Sequence, residues 1–487
     1  MYHEHPLKIL KYSAKNIWLL VFPLIRGIYT YHFDKNWLYS WVKGAWFDIA
    51  VLGAILLFGF VRWYFSRIDF TAFELVHRDG VFLRVNTYIP FRNISSVTVE
   101  RPLFMAPFRA SKFRCDTRAG IFRTVDMKLV VGQKTLDAIM LRMPDVDEVK
   151  KIKGIPQPNT LSVILFSVFF SSGFSGTVYL ATFFMKGGDI AYNIIKRSLD
   201  ILTEGTAKIT DKLVMKIPTA AVFIGVFFIS SWLLSFIVNL FRYGRFSIDC
   251  DQNCMKVRYG IIERKEYRIK NSHINYTDLR QNLIMKALGA VAVNISCAGY
   301  GSSKNRLPVL LPVKPEKSLG KNLQAIGVYS GIKNNYDVPA GGIISYLMIP
   351  LIAAALIIPS HDWFARLFPR IEELSLFIAV MLEIPAVWFV IVKFVALMTS
   401  GVALYDDKIM IRCSNWTRFH SVVSEREKIV KLELEQNMLQ RLSGRCALSI
   451  WFGGEEHKRY KIKAMNVSDV RKIADILGYK IAEKVKA

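Results

Sequence analysis

Six apolar runs punctuate the chain, at Asn16–Tyr31, Gly44–Tyr64, Thr160–Met185, Ile217–Phe241, Gly341–Pro359 and Leu374–Met398. Each approaches or exceeds the roughly 20 residues a helix needs to cross a bilayer core. They fall into three pairs, and a polar stretch follows each pair. The pattern predicts a multi-pass α-helical membrane protein, with six transmembrane helices in three pairs and a polar domain behind each pair. The boundaries that follow are 1–64 for the N-terminal segment and first pair, 65–156 for the first polar domain, 157–241 for the second pair, 242–335 for the second domain, 336–398 for the third pair and 399–487 for the third domain.

Inside the polar stretches the periodicity shortens to that of strands. Each opens on a strand, a turn and a second strand: "FELVHRDGVFLRV" turning at Asp79-Gly80, "FSIDCDQNCMKVRYG" at Asp251-Gln252-Asn253 and "VALYDDKIMIRC" at Asp406-Asp407. Asp-Gly between alternating runs is a hairpin signal. A third strand follows, then "IPFRNISSVTVE", "IKNSHINYTDLR" and "EREKIVKLELE", in which Ile94, Ile274 and Ile429 align. Next comes "RQNLIMKALG" from Arg280, repeated as "EQNMLQRLSG" from Glu435 and, in worn form, as "ERPLFMAPFR" from Glu100. Two more strands precede a closing helical pattern, "PDVDEVKKIKG", "KPEKSLGKNLQAIG" or "NVSDVRKIADILGY". In the last, Ser468 is the expected N-cap, and Val470, Ile473, Ile476 and Leu477 make one face. Repetition of this order predicts one unit used three times, an α+β antiparallel barrel closed by its C-terminal helix.

The repeated motif reads as a capped turn between strands. Asn282 and Asn437, beside Gln281 and Gln436, are placed to cap exposed N–H groups, and Gly289 and Gly444 to end the turn in the left-handed region. Lys286 and Arg441 stand among aliphatic residues, a pairing suited to the acyl boundary and lipid phosphate. In the first copy Pro102, Pro107 and Arg109 interrupt the pattern, so its turn is expected to differ. Candidate contacts with a membrane surface or a partner are Arg280, Lys286, Arg441, Arg109 and Lys112.

Composition bears on the partner. The 487 residues are 52% hydrophobic yet 21% charged, and 65 Lys plus Arg against 39 Asp plus Glu give a net charge of +26. Such a charge attracts nucleic acid or the anionic inner leaflet of a membrane. The hydrophobicity favours lipid and no nucleic acid. By the positive-inside rule both termini and the polar domains face the cytoplasm, leaving His32–Lys43, Lys186–Lys216 and Ser360–Glu373 outside. The middle connection has an amphipathic helical pattern at Tyr192, Ile195, Leu199 and Leu202. Lys8 precedes the first run with Lys11 and Lys15. Arg26, Asp48 and Lys393 lie near run ends and are expected to snorkel, while Glu383, before Pro385, is the candidate intramembrane polar contact. Six scattered cysteines read as reduced thiols. No H-E-x-x-H, P-loop or G-x-S-x-G pattern occurs, so neither metal, cofactor nor enzymatic activity is expected.

The order of strands and closing helix, the paired apolar runs and the "RQN-L" type motif resemble the bacterial pleckstrin-homology type-2 domain, the membrane-flanked or YdbS/YdbT-type family. Three copies resemble the YdbT type. The resemblance implies PH-like barrels and a non-enzymatic protein of the bacterial cell membrane. Its modules would engage lipid headgroups or another membrane protein of the same family, with a role in envelope protection or stress. Basic residues of the hairpins, such as Arg78, Lys256, Arg258, Lys408 and Arg412, sit beside acidic tips, a poor phosphate cradle, so inositol-lipid specificity is not carried over. The alternative reading is a transporter or channel formed by the six spans. Oligomeric state stays open.

Overall fold

The computed structural model describes residues 2–10, 37–118, 125–143, 157–171, 219–251, 253–300, 309–319, 329, 331–453 and 458–479. Within them the chain is an α+β protein with four β-sheets. Each unit consists of two three-stranded antiparallel meanders. In the first unit these are β2 (Arg67–Phe70), β3 (Glu74–Asp79) and β4 (Val85–Pro90), then β5 (Ile94–Pro102), β6 (Ala110–Thr117) and β7 (Met127–Gly132). The second unit has β8 (Ser247–Cys250), β9 (Cys254–Tyr259) and β10 (Glu263–Lys270), then β11 (Tyr276–Asn282), β12 (Ala290–Ser296) and β13 (Val309–Pro315). The third has β15 (Gly401–Tyr405), β16 (Lys408–Asn415) and β17 (Arg418–Glu425), then β18 (Ile429–Glu435), β19 (Arg445–Phe452) and β20 (Lys458–Asn466). A one-turn 3-10 helix makes the corner between meanders, and Ile94, Ile274 and Ile429 follow it into the core.

The units do not stand apart as separate barrels. β5 of the first unit pairs with β10 of the second, and β11 of the second pairs with β17 of the third. One six-stranded and one seven-stranded sheet therefore cross the unit boundaries. Backbone edges that a free-standing unit would expose are satisfied by the next copy. The first strand of each unit is covered by the segment that precedes the apolar pair before it. β1 (Tyr2–His3) lies on β2 while His5 N donates to Val130 O at 2.7 Å. The Gln157 side-chain amide donates through Nε2 to Ile248 O at 2.5 Å and accepts at Oε1 from Ile248 N at 3.3 Å, capping the edge of β8. β14 (Tyr336–Asp337) lies on β15.

The helices fall into two groups. α1 (Trp37–Phe65), α3 (Thr160–Phe170), α4 (Thr219–Tyr243), α6 (Ile343–Leu367) and α7 (Glu372–Thr399) lie on apolar runs, whereas α2 (Gln133–Leu141), α5 (Leu283–Ala287), α8 (Met438–Leu442) and α9 (Val467–Ile476) belong to the units. The six-span helical protein expected from hydropathy is corrected: among the described residues two helices, Ala340–Leu367 and Ser375–Thr399, are long and apolar enough to cross a membrane. α3 shows why run length misleads. It has 11 residues, about 16 Å at the helical rise, half of a bilayer core. It buries Val163, Phe166 and Phe170 in the core of the second unit, where Phe166 stacks on Phe170 and meets Tyr243 edge-on. An apolar helix can face a sheet as readily as lipid. The transporter or channel built on six spans loses its basis with them.

Other expectations change in detail. "FELVHRDGVFLRV" is the second hairpin of its unit, since Asp79 pairs with Val85 across a five-residue loop. Gly80 and Gly260 are equivalent, at φ +112° and +105°, where a Cβ would lie about 2 Å from the carbonyl oxygen three residues on. The closing helix of the first unit is α2, directly after β7, just as α9 directly follows β20. The pattern "PDVDEVKKIKG", most of "KPEKSLGKNLQAIG", the first apolar run and the connection Lys186–Lys216 lie outside the described residues. In α9 the N-cap is Asn466 and not Ser468. Val470 and Ile473 are buried, whereas Ile476 is exposed. All six cysteines are free and buried, and burial first of all pushes the Cys250 thiol up to about 12.

Candidate functional site

The repeated motif forms a knuckle between the first two strands of each second meander. Asn282 Oδ1 accepts from Met285 N at 2.8 Å and Asn437 Oδ1 from Gln440 N at 2.9 Å. Asn437 N in turn donates to Gln440 Oε1 at 3.2 Å, completing a capping box. Gln281 and Gln436 donate to Ala290 O and Arg445 O, at 2.9 and 2.7 Å, and so tie the knuckle to the next strand. Gly289 and Gly444 end it at φ +60° and +63°. In the first unit a 3-10 turn (Leu103–Met105) replaces the α-turn, as its prolines suggested, yet Arg109 takes the same left-handed place at φ +51°.

One residue of each knuckle is buried, Met105, Met285 or Gln440, Leu283 packs half-buried against the core of the third unit, and most of the remaining apolar residues face out. Leu103, Phe104 and Phe108 are exposed in the first unit, Ile284 and Leu288 in the second, and Met438, Leu439 and Leu442 in the third, where Leu442 is 82% exposed. Large apolar residues also occupy the turn between the second and third strands of each unit: Phe82 at 94% exposure and Leu83, then Ile261 and Ile262, then Trp416 at 77%. A soluble turn has no reason to expose so much apolar surface.

The third unit shows where these residues lie. Its knuckle, with Leu439 and Asn437, forms a groove with Ile344, Met348 and Ile349 in the opening turns of α6, and Arg445 donates to Gly341 O just before that helix. Its Trp416 turn is held to the end of α7: Lys393 Nζ donates to Trp416 O at 2.8 Å and to Ser414 Oγ at 3.2 Å, and Phe389 lies 6.4 Å from Trp416. Lys393 is thus buried against the unit instead of snorkelling. α6 and α7 pack as an antiparallel pair, linked at the far end by His361 Nδ1 and Ser375 Oγ at 2.9 Å. The knuckle and the Trp416 turn therefore flank the base of one span-length hairpin. In the second unit the same turn meets the end of α4, through Ile261 N to Phe241 O at 3.0 Å.

The predicted cations divide between surface and interior. Arg109 and Arg441 are exposed, and Lys112 lies over the Phe104 ring at 5.7 Å. Lys286 sits 4.4 Å from the Phe419 ring of the third unit, and burial, with the nearby Arg412 charge, lowers it to about 8. Arg280 is buried, so a role at a lipid surface is corrected for it: its Nε donates to Asp278 Oδ2 at 2.7 Å. Glu383 is half-buried in mid-α7, and its Oε2 has no hydrogen-bond partner among the described residues. The hairpin cations Lys256, Arg258, Lys408 and Arg412 are engaged by Glu266, Asp249, Tyr329 and Asn334.

The polar groups that sequence reasoning passed over lie at the junctions. Glu100 on β5 receives Lys265 from β10 at 3.0 Å and Arg114 at 2.9 Å. Asp278 on β11 receives Arg280, Tyr460 Oη at 3.2 Å and His420 Nδ1 from β17 at 3.1 Å. Burial alone would raise the Asp278 pKa, but the His420 and Arg280 charges and hydrogen bonds hold it well below the usual carboxylate range. The N-terminal segment is closed in the same way, with Glu4 joined by Lys8, Ser66, His77 and Val130 N. Lys8 is therefore part of the first unit and not a membrane flank. The signal available was a lone charge within an alternating strand, and it does not name the partner. Among the described residues no group of three His, Cys, Asp or Glu could hold a metal ion.

Residues 24–157, 199–324 and 343–481 each match the family model described as the bacterial PH domain. Over 143 residues the chain is 29% identical to the UPF0699 transmembrane protein YdbT of Bacillus subtilis (strain 168), covering 28% of this chain and 29% of the relative's length. No solved structure matches.

Proposed function

Because the chain belongs to the bacterial PH domain family and carries three copies of its domain, we propose that it is a non-enzymatic membrane protein whose units, joined through two shared sheets, lie on the cytoplasmic face of an anionic membrane. The observation that carries this reading is the placing of two apolar rims, the knuckle with Leu439 and Leu442 and the turn with Trp416, on either side of the base of the α6–α7 hairpin. Amphipathic rings and aliphatics flanked by cations partition to the headgroup boundary. Arg441 stands in the third unit's knuckle and Arg109 in that of the first, and the net charge of +26 favours an anionic leaflet. The YdbT relative carries "transmembrane" in its name, which supports the membrane location.

The test uses the full chain in nanodiscs, with an environment-sensitive fluorophore on Leu442→Cys, Trp416→Cys or Tyr405→Cys. Tyr405 is an exposed control at the opposite end of β16, about 26 Å away for eight residues. Labels at 442 and 416 are expected to shift to the blue when phosphatidylglycerol replaces phosphatidylcholine, and the Tyr405→Cys label to stay aqueous. Equal, water-like emission at all three sites sinks the proposal.

A further inference from the structure

The two junctions between units are the same contact made twice. Lys265 and His420 each stand nine residues before the aligned isoleucine of their own unit, and Glu100 and Arg280 each stand six after theirs. In the first junction Lys265 pairs with Glu100, Tyr267 with Thr98 and Ile269 with Ser96. In the second, His420 pairs with Arg280 and Val422 with Asp278. The register is identical. A third strand of the type β10 or β17 is always received on the outer edge of the fourth strand, β5 or β11, of the preceding unit.

Three units joined this way leave one half of the contact at each end. β18 is the counterpart of β5 and β11, and among the described residues it pairs with β19 alone. β4 is the counterpart of β10 and β17, and among the same residues it pairs with β3 alone. Burial follows the pairing. From Ile94 to Glu100 β5 is buried throughout, as is β11 from Tyr276 to Arg280, whereas six of the seven residues of β18 are half-exposed or exposed. β4 likewise leaves Val85, Asn86 and Tyr88 exposed. The first strand of each unit, β2, β8 or β15, carries a cap from β1, the Gln157 side chain or β14. An open strand edge is a template for pairing, and here the two edges are complementary in type.

We infer that β18 of one molecule receives β4 of a second copy of this chain, a head-to-tail contact that repeats the internal junctions. In the shared register Val85 faces Glu435, Asn86 faces Leu434, Thr87 faces Glu433, Tyr88 faces Leu432 and Ile89 faces Lys431. The exposed Tyr88 ring then covers Leu432, and Glu433 takes the place that Asp278 holds in the second junction. Charge on the β18 edge is no obstacle, since Glu435 is matched by Arg459 and Lys461 of β20 and Glu433 by Lys431. The contact also respects a bilayer, because β2 follows α1 as β8 follows α4 and β15 follows α7. Being heterologous, it closes into a ring or runs on as a row of molecules along the membrane.

Full-length Thr87→Cys and Glu433→Cys variants, mixed in phosphatidylglycerol-containing vesicles and mildly oxidised, test this. Facing residues in an antiparallel pair lie about 4.5 to 5.5 Å apart at Cα, within disulfide reach. The six native cysteines are buried and contribute little background. A disulfide dimer is expected in the mixture, absent from either variant alone and lost when Val430→Cys, three residues out of register, replaces Glu433→Cys. No dimer, a dimer in either variant alone at equal yield, or an equal yield with Val430→Cys overturns the inference. The outcome does not depend on what the apolar rims touch.

Discussion

Asp278 shows how much one buried charge decides. Its carboxylate sits in a strand between two units, with Arg280 on its own strand, His420 across the junction and Tyr460 from β20. Removing one member of such a group leaves the other charge buried without compensation. Asp278→Asn is therefore expected to lower stability by about 3 to 5 kcal/mol at pH 7, read from denaturant midpoints in detergent. Its depressed pKa fixes the sign of the pH effect. The contribution is whole above the ordinary aspartate value, about 3.9, and is lost as pH falls below it toward the folded value. Glu4 behaves alike, its stabilising share disappearing between pH 4.5 and about 2. Equal midpoints for wild type and Asp278→Asn at pH 7 would show that the buried group does not hold the junction. None of this is visible in "INYTDLRQN", where Asp278 and Arg280 look like solvated residues.

At the level of elements, the knuckle is where sequence and structure agree most closely. Its Asn caps, its Gln ties and its left-handed terminal residue depend on neighbours within about ten positions, and short-range geometry is written in local residue order. Arg109 makes a clean test, because it occupies at φ +51° the place of two glycines. Arg109→Gly is expected to stabilise the protein by about 1 kcal/mol, by relieving left-handed strain. Gly444→Arg, at φ +63° with open space around a new Cβ, should cost a similar amount. If thermal melts move in neither direction, the turn relaxes where it is substituted. Which apolar residue enters the core was not legible, since Met285, Ile284 and Leu288 are equally apolar and only the packing of the second unit's core selects the first. The same limit applies to Thr160–Phe170, whose composition cannot distinguish a sheet from lipid.

Over the whole molecule, fusion of the sheets predicts where the backbone is protected. In dilute detergent-solubilised protein, amides of β18 and β4 are expected to exchange with solvent faster than those of β11 and β10, despite their equivalent places in the repeat. Raising the protein concentration should slow β18 and β4 together and leave β11 unchanged. Equal protection of β18 and β11 under dilute conditions would mean that the edge is covered from within the chain. The sequence by itself determined the threefold repeat, the aligned isoleucines and the capped knuckle, because alternation, turn chemistry and caps are local. Only the tertiary structure decided which units share a sheet, which cations are interior and which apolar helices pack on protein. The physical reason is that side chains mark the faces of a strand, whereas its edges are backbone N–H and C=O groups, identical at nearly every residue and so silent about their partner.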